Sequence, residues 1–225
     1  MQDVAQTTRT EPSRLRLLIE MIAIYAVAPL GAYALVFKAG VPLLGVLAPA
    51  FLAFVLVLSL DRTFSWRTLF LAPVSRAELA GIATLFAVLG SVIVAVAYFL
   101  DPTRFLDLPR YSPGLWLALM VLYPLVSVTA QEIVYRVLFA HRYLKLFRGN
   151  FLLAIVVNAV LFAFSHLIFE SWVTIVVSFA GGLIFAYRYF TYRSFWGVCL
   201  EHALYGNLIF TVGLGRYFLI GVPFG

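Results

Sequence analysis

The sequence predicts an all-α, polytopic membrane protein with about seven spanning helices and a cytoplasmic N-terminus. Three observations carry that expectation. The composition is 64 % hydrophobic and only 12 % charged, with a mean hydropathy of +1.01, against roughly 45–50 % apolar and ~25 % charged in a soluble domain. The apolar residues fall into runs of the ~20 residues that a helical bilayer crossing needs. Between the runs, lysine and arginine alternate between dense and sparse from one connection to the next.

Taken in order, residues 1–14 are polar and read as a flexible N-terminus. The run after them is too long for a signal-peptide core and lacks a small-residue cleavage site, so it reads as a retained first span. The spans expected are Leu15–Phe37, Val41–Leu60, Ala77–Leu100, Pro113–Ala140, Phe151–Phe169, Trp172–Tyr189 and Phe195–Leu214. Tyr217–Gly225 is apolar but too short to cross, and reads as a re-entrant or interfacial tail. Pro29, Pro49 and Pro124 fall inside spans, where neighbouring helices can satisfy the carbonyls they free. The connection "DRTFSWRTLFLAPVSR" has amphipathic character, and "DPTRFLDLPRYSPG" is a proline-rich outer loop. Residues 15–225 therefore form a single transmembrane domain, with the catalytic-type core at about 113–214.

Eleven lysines and arginines lie in one set of alternate connections, four in the other, and Arg136 alone falls within a span. That bias places the N-terminus in the cytoplasm. The formal net charge of +6 is read as attraction to lipid headgroups rather than to nucleic acid, because the basic residues sit in short loops. Cys199 is the only cysteine, which excludes an intrachain disulfide and a cysteine-based metal cluster. A compact polytopic chain of this kind is expected in a bacterial inner membrane.

Ionisable residues concentrate in the second half. The fourth span holds Gln131, Glu132 and Arg136, the fifth Asn158, Ser165 and His166, and the seventh Glu201, His202 and Asn207. Charge at mid-bilayer is costly and normally faces the protein interior for a purpose. If the chain turns near Gly149, Glu132 lies 17 residues before the turn and His166 17 after it, ~25 Å each at 1.5 Å per residue. The two are level and can meet. His202 lies ten residues beyond a turn near Tyr192, and joins them if its helix starts deep. Glu132 and Arg136 share a helix face at i,i+4, as do Phe162 and His166.

Three motifs on these spans carry a resemblance: "QEIVYR", "FAFSH" and "HALYGN". The sequence resembles the CAAX prenyl endopeptidase and bacteriocin-processing family of intramembrane proteases, also called CPBP or Abi, over about Leu115 to Asn207. The resemblance implies hydrolysis of a peptide bond in a membrane-associated or lipidated substrate. It assigns Glu132 and His166 to activate a water, His202 and Asn207 to stabilise the oxyanion, and Gln131, Arg136 and Phe162 to support them, without a cofactor. There are two departures. Gln131 stands where the family has its first glutamate, and Gly206 stands in the asparagine's usual place, with Asn207 one residue late.

Other readings stay open on the residues alone. Glu132 and Arg136 can be a structural ion pair, and His166 a core histidine bonded to Glu170. Arg188 in "GGLIFAYRYF" reads as an interfacial anchor following a small-residue packing face. His141 reads as a solvated or headgroup-facing residue. Two histidines and a carboxylate can also bind zinc, although no His-Glu-x-x-His motif is present. A transporter or proton relay would place similar residues in a membrane. A non-catalytic relative that binds a peptide or protein partner in the same cavity is the main alternative to the protease.

Overall fold

The computed structural model describes residues 12–220 of the 225. The N-terminus expected over 1–14 therefore lies largely, and the tail expected over Tyr217–Gly225 partly, outside the described residues. Within them the chain is helical and has no strand. Six helices are long and apolar enough to cross a membrane: α1 (Arg14–Phe37), α2 (Leu43–Leu60), α3 (Arg76–Leu100), α4 (Pro113–Arg142), α5 (Phe151–Phe169) and α6 (Trp172–Tyr192). The seventh expected span forms α7 (Phe195–Thr211), of 17 residues. It is shorter than the run expected to Leu214, because the chain turns at Gly213 with φ at +93° and continues as a 3-10 turn over Leu214–Phe218.

Contacts at the two ends confirm that successive helices run antiparallel. At the end where α1 begins, Glu20 takes the Arg142 guanidinium and the Tyr143 hydroxyl (2.8 Å), and Trp196 donates to the Phe70 carbonyl (3.0 Å). At the same end His141 meets Asp61 at 3.1 Å. At the other end Tyr33 donates to Glu170 (2.5 Å) and Trp116 to Thr211 (3.0 Å).

The helices divide by burial. In lipid an exposed leucine has no reason to turn inward, and helices associate through close packing and polar contacts instead. Accordingly α2 buries only Leu58, while α6 buries eight residues and α7 ten. The small-residue face expected in α6 is present: a Cβ on Gly182 would come within 2.9 Å of the Ala159 Cα, so the glycine sets how closely α5 and α6 approach.

Three π-helical turns interrupt the helices, at Ala23–Val27, Tyr123–Val128 and Ile133–Leu138. The first lies beside Pro29 and the second contains Pro124, residues that lack the N–H a regular turn needs. The third contains no proline. Its carbonyls are taken from outside the helix: Tyr25 donates to the Val134 oxygen (2.7 Å) and Asn158 to the Tyr135 oxygen (2.6 Å). Such wide turns recur at functional sites, and this one begins directly after Glu132.

Arg188 departs from its expected interfacial place. It is buried, and its Nε and Nη2 meet Glu201 Oε2 and Oε1 at 2.8 and 2.9 Å. The reason is that α7 starts inside the protein. Arg193 adopts a left-handed backbone (φ +55°), and the buried Ser194 caps the new helix by accepting from the Gly197 amide.

Candidate active site

Glu132 and Arg136 on α4 are both 0 % exposed, and His202 on α7 is 5 % exposed. His202 Nδ1 lies 2.7 Å from Glu132 Oε1. An ionised carboxylate can only accept, so Nδ1 carries the proton in this pair. The other ring nitrogen, Nε2, lies 3.1 Å from the Tyr123 hydroxyl. Phe185 stacks on the imidazole at 4.4 Å and 19°, and Phe162 meets it edge-on at 5.8 Å. The histidine is thus held at both nitrogens and stacked on one aromatic ring.

Arg136 is held more loosely. Its Nε stands 3.5 Å from Glu132 Oε2, and its guanidinium lies over the Phe162 ring at 4.4 Å and near Phe185 at 5.6 Å. It makes no hydrogen bond to any protein atom among the described residues. It stands beside Glu132 as a positive charge, without a hydrogen bond between them.

Phe162 is a wall that both histidines touch. Its ring centroid lies 4.6 Å from that of His166 and 5.8 Å from that of His202. Glu132 and His202 are therefore brought into direct contact, and His166 is brought to the same wall without a hydrogen bond to either. One helical turn nearer the turn at Gly149, Arg136 of α4 lies against Phe162 of α5. His166 Nδ1 bonds to the Phe162 carbonyl at 2.8 Å, which leaves Nε2 as an acceptor. Glu170 is not its partner, because that carboxylate is taken by Tyr33.

Gln131 turns away from Glu132, and its amide donates to Ser127 at 2.8 Å. Asn207 does not reach His202. The α7 helix stays regular through this region, so the asparagine faces α4 and donates to the Met120 carbonyl at 3.2 Å. No group of three or more His, Cys, Asp or Glu side chains converges in a metal-holding arrangement among the described residues.

Tyr123 and Phe185 were not singled out from the sequence. Tyr123 precedes Glu132 by nine residues, which on a regular helix is ~180° around and on the opposite face. The wide turn over Tyr123–Val128 reduces that rotation. The one available signal was Gly206. A Cβ at that position would overlap the Tyr123 ring, so the glycine marks where the tyrosine approaches α7. Glu78 was also passed over; it is fully buried beside Gly197.

Residues 113–208 match the family model described as Rce1-like, type II CAAX prenyl endopeptidase Rce1-like. The match runs from the first turn of α4 into α7 and includes Tyr123, Gln131, Glu132, Arg136, Phe162, His166, Phe185, His202 and Asn207. No curated protein and no solved structure matches the chain.

Proposed function

We propose that this protein is an intramembrane endopeptidase of the CAAX-processing type, acting on membrane-associated or lipid-anchored peptides in a bacterial inner membrane. The observation that carries the reading is the 2.7 Å contact between Glu132 and His202, made from separate helices within the stretch that matches the family. A buried carboxylate bonded to one imidazole nitrogen orients the ring and fixes which nitrogen carries the proton, an arrangement acid–base catalysis uses. Glu132 and His166 are assigned to the attacking water. The His166 Nε2, left as an acceptor, can receive a proton from it. His202 is assigned to the oxyanion, where preorganised donors act most strongly. Asn207 is assigned beside it by the resemblance alone.

The test is cleavage of a lipid-anchored peptide by the full chain in liposomes. Glu132→Ala and His166→Ala are each expected to lower turnover by about 10²–10⁴-fold. Full turnover in Glu132→Ala overturns the assignment. A second reading, a non-catalytic relative that holds a peptide in the same cavity, is favoured by Gln131, whose amide is engaged with Ser127 and cannot act as a base. A silent wild type that Gln131→Glu activates would establish that reading, and loss of turnover to a chelator would reinstate zinc.

A further inference from the structure

Of the two nitrogens of His202, Nδ1 is committed to Glu132, so whatever this histidine does to a substrate it does through Nε2. The Tyr123 hydroxyl stands at that nitrogen, 3.1 Å away. The tyrosine is built into place. Its ring is edge-on to both Phe210 (5.1 Å, 75°) and the imidazole (6.1 Å, 78°). It also fills the space above Gly206, where an added Cβ would lie 2.5 Å from the hydroxyl oxygen. The proline-bearing wide turn of α4 swings it onto this face. Asn207, which the resemblance assigns to this place, donates to the Met120 carbonyl instead.

We propose that Tyr123 is the hydroxyl partner of His202: opposite Glu132 at Nδ1, it donates to Nε2 and so helps hold the imidazole as the Nδ1–H tautomer, and its O–H is the donor presented to negative charge developing beside Nε2. The two protonation states of His202 give it both roles. With a neutral ring, Tyr123 donates to Nε2. With an imidazolium, Nε2–H donates to the phenol oxygen, and the hydroxyl hydrogen is free to turn towards an oxyanion while polarised by the charge behind it. No bond is made or broken at the tyrosine. The tautomer role stands on geometry alone; the donor role rests on the endopeptidase reading.

Two measurements separate these roles. The full chain labelled with ¹⁵N-histidine in nanodiscs contains three histidines, and His202→Gln assigns the relevant signal. The wild type is expected to show a protonated Nδ1 and a hydrogen-bonded Nε2. Tyr123→Phe should move the Nε2 resonance towards the unbonded position and leave His141 and His166 unchanged. An unmoved Nε2 overturns the tautomer role. In the cleavage assay, Tyr123→Phe is expected to lower kcat by about 10²–10³-fold, the usual effect of removing one oxyanion donor, with KM little changed. The double variant Tyr123→Ala with Gly206→Asn, which places an amide in the space the ring vacates, should turn over at least ~10-fold faster than Tyr123→Ala. Undiminished kcat in Tyr123→Phe overturns the donor role alone. A wild type without turnover overturns the endopeptidase reading and the donor role with it, while the resonance still decides the tautomer.

Discussion

Two arginine–glutamate pairs are buried in the helical core, and they are built in opposite ways. Arg188 and Glu201 form two parallel hydrogen bonds between α6 and α7, at 2.8 and 2.9 Å, the geometry in which a guanidinium and a carboxylate satisfy each other most fully. Arg136 and Glu132 sit one turn apart on α4 at 3.5 Å. The arginine rests on an aromatic ring, and the glutamate gives its other oxygen to a histidine on another helix. The first pair is closed on itself and ties two helices together. The second leaves its donors uncommitted and directs its carboxylate at a titratable ring. Burial alone does not distinguish a clamp from a site; the partner of each oxygen does.

This contrast can be broken by exchanging readouts. Glu132→Gln keeps an oxygen for His202 and is expected to lower kcat by about 10²–10⁴-fold; because Arg136 rests on Phe162 and makes no hydrogen bond to Glu132, the melting temperature should fall less than in Glu201→Gln. A fall as large as in Glu201→Gln would make Glu132 a clamp like Glu201. Glu201→Gln should do the reverse. It strands the Arg188 charge at a cost of about 3–5 kcal/mol in chemical denaturation, and the protein that remains folded should cleave at the wild-type rate. Replacing both partners, Arg188→Met with Glu201→Leu, should recover most of that loss, since apolar substitution of a whole buried pair is commonly neutral or stabilising.

A smaller effect sharpens the role of the wide turn. Tyr25→Phe removes the donor to the buried Val134 carbonyl and is expected to cost about 1–3 kcal/mol in the same denaturation experiment. Turnover should fall as well, because the turn that loses its support follows Glu132 directly.

The smallest effect lies at the rim. Hydrogen bonds from the Thr63 hydroxyl and amide, with His141 beyond them, hold the Asp61 carboxyl down at about 2, from a usual 3.8. A lowered value means that the folded form favours the carboxylate. Its contribution is therefore complete above the unfolded value and is lost as pH falls through the folded one. Asp61→Asn should flatten the dependence of melting temperature on pH between those two values and lower the melting temperature slightly at neutrality, where the contribution is complete.

The helices were legible because a bilayer leaves little choice: backbone polar groups must be satisfied within the segment, which demands long apolar helical runs. Counting residues from Gly149 placed Arg136 and Phe162 at one level, and they are in contact. Three features were hidden for physical reasons. The wide turns change the rotation per residue, and no count at regular pitch places Tyr123 beside His202. Arg188, at the end of an apolar run and followed by Tyr189 and Phe190, has the local pattern of an interfacial anchor, and only the buried start of α7 encloses it. Asn207 required a choice between a bulged and a regular helix, and α7 is regular.

The unequal lengths of the two helices that carry the Glu132–His202 contact have a consequence for the lipid. The α4 helix has 30 residues and the α7 helix 17, ~45 Å against ~26 Å at 1.5 Å per residue, around a hydrocarbon layer ~30 Å thick. No single thickness suits both, and a 30-residue helix in such a layer must lean or protrude. Turnover is therefore expected to depend on acyl-chain length, which reconstitution in lipids of different thickness would measure.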